Sequence, residues 1–402
     1  MDAAQRRIVV TLGFCGLVSA ADNWFVSPAL PSIAHTLAVL PSAAAIILTA
    51  YLLPYGLLQP VCGAIGDAVG RLRLLRVIVM GLSASTVLCA LAPTLPLLVT
   101  ARIVTGCFAA GIISVSQALV GDTVGPRERS GAVGLLMGIT FAGQGLSAGL
   151  GGIITDLVGW RAAFVCFGVL GLVAWAGLLR LRGIEGAGAA ARRRGPVDTA
   201  GFAHAARTFC ANATRLLFVR GRTVFSSALV TGILFLGAYG FMGTFLAECC
   251  GLTATQSGLL MMFYGVACLL GGSISGRIAK RRGRGGTILV GQACGLASCA
   301  ALILSTVTAS WIPALASAAL LGMGYILVQP TLVSLSMEVD AEHAGLCTGL
   351  IGLGVFAGGG VGSTLGQFAV ADGGYLALWG CIGVAMCLWL ILANATSLGR
   401  RS

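Results

Sequence analysis

Asp22 and Arg102 are the two charged residues set deep inside apolar stretches of this 402-residue chain. Asp22 lies about eight residues, or ~12 Å at 1.5 Å per residue, from the outer end of its stretch. Taking a carboxyl out of water disfavours its charged form, which suits a group that loads and releases a proton. Arg102 enters its own stretch at nearly the same depth, and a guanidinium close to Asp22 favours the carboxylate. Separating the pair, or placing a solute between them, would change proton affinity and so couple two events. Each residue has a plainer alternative. Asp22 could cap or bond locally near the surface, and Arg102 could tie helices together through backbone carbonyls.

A second constellation reads Gly-Ala-Ile-Gly-Asp-Ala-Val-Gly-Arg-Leu-Arg, from Gly63 to Arg73. Gly63, Asp67, Gly70, Arg71 and Arg73 form a charged break between two apolar runs of about twenty residues, each long enough to cross a hydrocarbon core. Charges at bilayer mid-depth cost several kcal/mol, so the break lies at a membrane surface. Asp67 is too exposed there for a proton site, but it can accept backbone N–H bonds at a helix N-terminus. Arg71 can pair with Asp122 at the same end of another stretch.

The elements that position these residues follow from composition. The chain is 57% apolar and 9% charged, with a mean hydropathy of +0.96. A soluble domain carries about 25% charged residues, so this is a polytopic membrane protein. Twelve spans are expected, at 8–30, 42–62, 74–93, 97–120, 131–154, 161–180, 224–246, 256–276, 287–308, 312–336, 345–370 and 375–396. The first is too long for a cleaved signal segment. The sixty glycines suit close helix approach in lipid.

Of the 25 Lys and Arg, only Arg102 and Arg161 fall outside segments that alternating spans place on one face. By the positive-inside rule both termini and the central loop are cytoplasmic, in a cell (inner) membrane. The same distribution argues against nucleic-acid binding despite a net charge of +12. The segment 181–223 is the one long gap and carries Arg192, Arg193 and Arg194. It divides the chain into a six-helix bundle over 1–182, a basic linker over 183–222 and a second bundle over 223–402. An amphipathic helix on anionic lipid is an option for the linker.

An internal repeat supports the division. A shift of 209 places Tyr55 and Gly56 on Tyr264 and Gly265, and Gly63 on Gly272; a shift of 215 places Gly134, Gly143, Gly145, Gly151 and Gly159 on Gly349, Gly358, Gly360, Gly366 and Gly374. Gly276 stands where the first half has Asp67, so only the N-terminal half carries the acidic element.

The Gly63–Arg73 loop resembles the signature loop between the second and third helices of the major facilitator superfamily, with Ala68 where a basic residue is frequent. Further stretches carry the same resemblance. Asp22-Asn23-Trp24-Phe25 through Pro28 and Pro31 is similar to the first-helix ending of drug:proton antiporters. Arg102 with Gly106, Ala110 and Gly111 resembles the fourth-helix motif often assigned to proton coupling. Gly134, Gly143, Gly151 and Gly152 have the antiporter spacing in span five, although Ser147-Ala148 replaces its Gly-Pro step. Gly159-Trp160-Arg161 and Phe164 resemble the turn into the sixth helix.

The resemblance implies an all-α fold of twelve helices in two pseudo-symmetric bundles around a central cavity. It implies alternating access, with spans one, four, seven and ten lining the cavity. Candidate substrate contacts there are Asn23, Trp24, Phe25, Ser114, Gln117, Phe235, Tyr239, Tyr325 and Gln329. Few polar groups among apolar and aromatic walls suit a small, partly hydrophobic compound. The family's partner for Asp67 is the start of span eleven near Gly345, and with Arg71 and Asp122 this makes a latch holding the outward-open state. The function expected is proton-coupled antiport exporting such compounds, drugs among them. The alternatives are a metabolite or sugar transporter of the same superfamily and, remotely, a non-transporting sensor.

The remaining features carry less. Asp156 and Arg161 are expected to pair across the turn between spans five and six, or with the surroundings of Trp160. Glu248 reads as a solvated terminus or part of an ion path. Glu338, Asp340, Glu342 and His343 read as an acidic loop facing the basic loops. The cysteines read as buried hydrophobes, with Cys249 and Cys250 the sole redox candidates. No enzyme constellation, cofactor or metal site is expected. The partners are a small molecule, protons and anionic lipid, for a monomer.

Overall fold

The computed structural model describes residues 2–125, 128–181, 211–340 and 344–395. Every regular element among them is helical. In a hydrocarbon core a helix satisfies its own backbone donors and acceptors, which leaves it as the economical way across.

The first expected span is a bent pair, Ala3–Trp24 and Val26–Thr36, meeting at 41°. Pro28 explains the bend. It has no N–H for the carbonyl of Trp24, and its ring crowds that carbonyl. Span two is Ile46–Val69 and ends at Gly70, whose φ of 96° favours glycine. Span three is Arg71–Ala90. Span four is broken in the middle, as Leu95–Ala109 and Ile112–Thr123. Spans five and six are Arg129–Val158 and Trp160–Leu179, joined through Gly159 at φ 100°.

In the second half, span seven runs as Arg222–Thr231, a π-helical turn Gly232–Leu236, and Gly237–Cys250. Spans eight and nine share the helix Ala254–Thr308, which turns at Gly283 with φ 70°. Span ten is Trp311–Val339. Spans eleven and twelve share Ala344–Ala395 and turn at Gly374 with φ 68°.

Among the described residues, ten helices are long and apolar enough to cross a membrane, or eleven if the bent pair counts as one. The expected count of twelve is not reached by this measure. The last two expected spans fall in one apolar run, Leu346–Leu392, of 47 residues. Gly374 breaks that run into parts of about 28 and 18 residues, or ~42 Å and ~27 Å at 1.5 Å per residue, against a ~30 Å hydrocarbon thickness. The central basic residues Arg192, Arg193 and Arg194, and with them most of the expected linker, lie outside the described residues.

Three of the five glycine pairs related by the 215-residue shift pack on other elements at both positions. Gly143 packs on Leu17 of span one, and Gly358 on Leu229 of span seven. Gly151 packs on Phe25 and Gly366 on Phe241. Gly145 meets Gly265 of span eight, while Gly360 meets Leu53 of span two. Small residues thus let spans five and eight, and spans two and eleven, approach closely between the halves.

The halves meet unevenly along their length. At the face opposite the Gly63–Arg73 turn, Ser27 Oγ donates to the carbonyl of Gly240 at 2.8 Å, and Trp24 packs edge-on to Tyr239 at 4.7 Å. Asp156 accepts from the backbone N–H groups of Ala254 (3.2 Å) and Thr255 (2.6 Å) across the halves. Toward the basic face, Gly63, Gly134, Gly138 and Gly272 have open space where a Cβ would lie.

Candidate functional site

Arg102 and Asp22 form a buried ion pair, Nη1 to Oδ2 at 2.8 Å, with side chains 0% and 1% exposed. Thr86 of span three donates its hydroxyl to the other carboxylate oxygen at 2.7 Å. The guanidinium also reaches the backbone carbonyl of Asp22, at 3.4 Å from both Nη1 and Nη2. Its flat face lies 4.3 Å from the centroid of the Tyr51 ring, and Phe164 stands at 5.7 Å. Tyr51 is itself held by a bond from its hydroxyl to the carbonyl of Ser19 at 3.1 Å.

Gly106 makes this cage possible. A Cβ there would overlap the carbonyl oxygen of Tyr51, so glycine lets spans two and four close until the Tyr51 ring covers Arg102. Charge pairing, cation–π contact and exclusion of water then act on the same guanidinium. The arrangement can hold an ionised carboxylate in an apolar bundle for as long as Arg102 stays in place.

Tyr51 and Thr86 were not singled out by sequence reasoning. Both are uncharged, and the signal was their depth, within a few residues of that of Asp22 and Arg102 in neighbouring spans.

The aromatic candidates divide. Trp24, Tyr239 and Tyr325 belong to one cluster with Tyr264, which lies 4.2 Å from Tyr239 and 6.2 Å from Tyr325 by ring centroids. Tyr264 joins it from span eight, outside the four expected lining spans. Asn23 is buried, with Oδ1 unpaired. Ser114 and Gln117 are half-buried, and Gln117 Nε2 lies 3.0 Å from Met137 Sδ. Gln329 is half-buried on span ten.

Phe25 does not face this cluster. Phe25 stacks on Phe167 at 4.4 Å and meets Phe164 at 4.8 Å, inside the first half. Successive helical residues turn by about 100°, so Phe25 cannot share the direction of Trp24. Phe235 sits fully buried at the edge of the cluster, 6.4 Å from Tyr325 by ring centroids and against Gly295 and Gly324. It lies in the π-helical turn, whose extra residue shifts the facing positions.

At the basic face, Arg71 bonds to Asp122 and donates to the carbonyl of Ala118 at 2.8 Å. Arg73 is exposed, and Gly70 takes the positive φ that reverses the chain. Span eleven starts at Ala344, beside the expected Gly345; the Asp67 side chain, Glu342 and His343 lie outside what the structure describes.

The expected pairing of Asp156 with Arg161 gives way to other partners. Asp156 binds the start of span eight, while Arg161 stacks 4.1 Å over Trp160 and donates to the carbonyl of Ala92 at 3.1 Å. An exposed backbone N–H pair at a helix start is the better anchor for a carboxylate than a cation already held by an indole. Glu248 is exposed, and Cys249 and Cys250 are free thiols. Glu338 pairs with Arg284 at 2.5 Å and Asp340 with Arg220 at 3.9 Å, so these two acids do face basic residues.

The sequence matches the Major Facilitator Superfamily over residues 12–363. The chain belongs to that family. Among curated superfamily relatives, a transporter named EfpA from Mycobacterium tuberculosis is 34% identical over 167 residues, 41% of this chain and 31% of the relative. The drug efflux pump JefA of the same species is 30% identical over 186 residues, 46% of this chain and 36% of that one. The puromycin resistance protein pur8 of Streptomyces alboniger is 31% identical over 146 residues, 36% of this chain and 29% of pur8. The matched region thus spans about a third of these relatives.

Solved major facilitator structures share the fold. A D-xylose–proton symporter superposes with a TM-score of 0.73 at 18% identity, covering 96% of each chain. A bacterial homologue of the lysosomal transporter Spinster, inward-facing and occupied, gives 0.71 at 15% identity, covering 100% of this chain and 99% of the other.

Proposed function

We propose that this superfamily member is a proton-coupled antiporter that exports small, partly hydrophobic compounds, drugs among them, by alternating access. The observation that carries the reading is the sealed Asp22–Arg102 pair, capped by Thr86 and Tyr51 at the junction of four spans. With Arg102 in place the carboxylate is matched in charge and hydrogen-bonded. If Arg102 is drawn away, a carboxylate left in an apolar bundle is relieved by a proton. Asp22 is then the proton carrier and Arg102 the group that sets its affinity.

The aromatic cluster of Trp24, Tyr239, Tyr264 and Tyr325 is the substrate contact, with the unpaired Asn23 Oδ1 as an acceptor for a substrate donor. Trp24 belongs to the helix that carries Asp22, two residues on, so a solute pressing on the cluster moves the helix that holds the carboxylate. Ser114, Gln117 and Gln329 supply further polar contacts. Relatives named for drug efflux and puromycin resistance favour an export role over sugar transport.

The basic face is cytoplasmic and the membrane is the inner one, by the distribution of Arg. The contact between halves at the opposite face then belongs to an inward-facing state. Asp67, Arg71 and Asp122 form the latch of the outward-open state, with Gly63, Gly70 and Arg73 shaping its turn. The working unit is a monomer that needs no cofactor and performs no covalent chemistry.

The test is transport in liposomes with a pH-sensitive dye inside. Lipophilic cations and neutral antibiotics are added across an imposed proton gradient, for wild type and Asp22→Asn. Substrate-triggered proton movement in wild type, lost in the variant, is the expected result. Substrate movement with no proton movement, unchanged in the variant, would leave a facilitator. A response to sugars alone would favour the metabolite reading.

A further inference from the structure

A groove of about 590 Å³ opens between spans seven and eleven near the basic face. Its walls include Phe225 and Leu229 on span seven and Leu353 and Ala357 on span eleven, and Arg222 stands among them at the helix start. The volume falls within the roughly 300–1,000 Å³ of sites that hold a discrete ligand.

The groove faces outward. On span eleven, half-buried Leu353 and buried Ala357 form the groove's floor, and at four-residue intervals beyond them Val361 (39% exposed) and Leu365 (56% exposed) turn away from the protein. The other side of the same helix carries Gly352, which packs on Gln59, and Phe356, which lies 4.4 Å from Tyr55. On span seven, Leu229 is exposed, while Ala228 packs on Gly354. In a membrane-spanning chain an exposed apolar stripe of this kind meets acyl chains.

Arg222 lines this groove and, like Arg73, Arg215, Arg281 and Arg282 among the described arginines near this end, has no ion-pair partner. Arg71 pairs with Asp122, Arg220 with Asp340 and Arg284 with Glu338, whereas Arg222 makes no ion pair or hydrogen bond among the described residues. It stands at the first residue of its helix, with the apolar walls running along the helix from it. A guanidinium above an apolar groove matches a phosphodiester above an acyl chain in charge and in shape.

We propose that this groove is a binding site for one anionic phospholipid of the leaflet that meets the basic face. Arg222 holds the phosphate, and an acyl chain lies along Leu229, Leu353 and Ala357. The site rests on the chain spanning a bilayer and is independent of proton coupling.

The experiment is native mass spectrometry of the whole protein, purified from micelles containing equal phosphatidylglycerol and phosphatidylcholine. Wild type is expected to retain one phosphatidylglycerol in preference to phosphatidylcholine. Arg222→Gln should lose that preference by about tenfold or more, the scale of a charge-assisted hydrogen bond. Arg222→Lys should keep most of it, and Arg6→Gln, which removes an exposed charge elsewhere, should leave it unchanged. Ser226→Phe, which fills the groove, should reduce retention of both lipids. Equal retention of the two lipids by wild type would overturn the proposal. So would no retained lipid, or an Arg222→Gln variant that behaves as wild type.

Discussion

Gly106 stands where any side chain would overlap the carbonyl oxygen of Tyr51, and that approach lays the Tyr51 ring 4.3 Å from the guanidinium carbon of Arg102. A glycine on span four thus governs an aromatic on span two, and through it the only guanidinium buried beside a carboxylate among the described residues. Replacing Gly106 by Ala adds helix propensity worth about 0.5–1 kcal/mol. Overpacking against a backbone atom costs about 1–3 kcal/mol, so the net effect is destabilising. Thermal unfolding in detergent should show a lower midpoint for Gly106→Ala, with transport impaired more than by Gly134→Ala, whose Cβ meets open space.

The ion pair can be tested by its asymmetry. Arg102→Ala leaves a buried carboxylate, and Asp22→Ala leaves a buried guanidinium; breaking such a pair costs about 3–5 kcal/mol. Replacing both, as in Asp22→Leu with Arg102→Met, leaves no uncompensated charge. The double variant should unfold at a higher temperature than either single variant while transporting nothing proton-coupled. A double variant destabilised by the sum of the two single losses would show that the two residues do not interact.

Asp156 predicts a conformational effect. Its carboxylate accepts two N–H bonds from the start of span eight, so Asp156→Ala removes a link between the halves at the face opposite the basic one. The group is exposed, which keeps the loss near the lower end of the capping range, about 0.5–1 kcal/mol. A change of 1 kcal/mol alters a two-state ratio about fivefold. Spin-label distances across that face should gain a population at longer separation, with little change in thermal midpoint.

Gly243 gives a stronger version of the same test. A side chain there would collide with the backbone of Ser27 and Pro28, where Ser27 bonds to Gly240. Gly243→Leu should prevent the opposite face from closing, so spin labels on that face report only the longer distance. Substrate accumulation should fall by at least tenfold. Unchanged distances would mean that the contact yields without cost.

How much of this was legible in the sequence depended on charge. Asp22 and Arg102 stood out because an ionised group in an apolar run must be compensated, and their equal depth put them within reach of each other. Arg71 and Asp122 followed from their place at the same end of two spans. Tyr51 and Thr86 carry no such signal. Their part depends on the rotation of each helix about its axis, which hydropathy does not encode. Phe25 turns away from the aromatic cluster for the same reason, one residue on from Trp24. The chain turns at Gly283 and Gly374, between the expected spans eight and nine and between eleven and twelve.

The most direct test of the central claim counts protons in the purified protein. A neutral, lipophilic substrate is titrated into weakly buffered detergent solution containing a pH dye, for wild type and Asp22→Asn, with substrate binding followed by tryptophan fluorescence. The account predicts a proton exchanged on binding to wild type, and binding with no proton exchanged in Asp22→Asn. The same proton exchange in both proteins would contradict it, since the titrating group would then lie elsewhere.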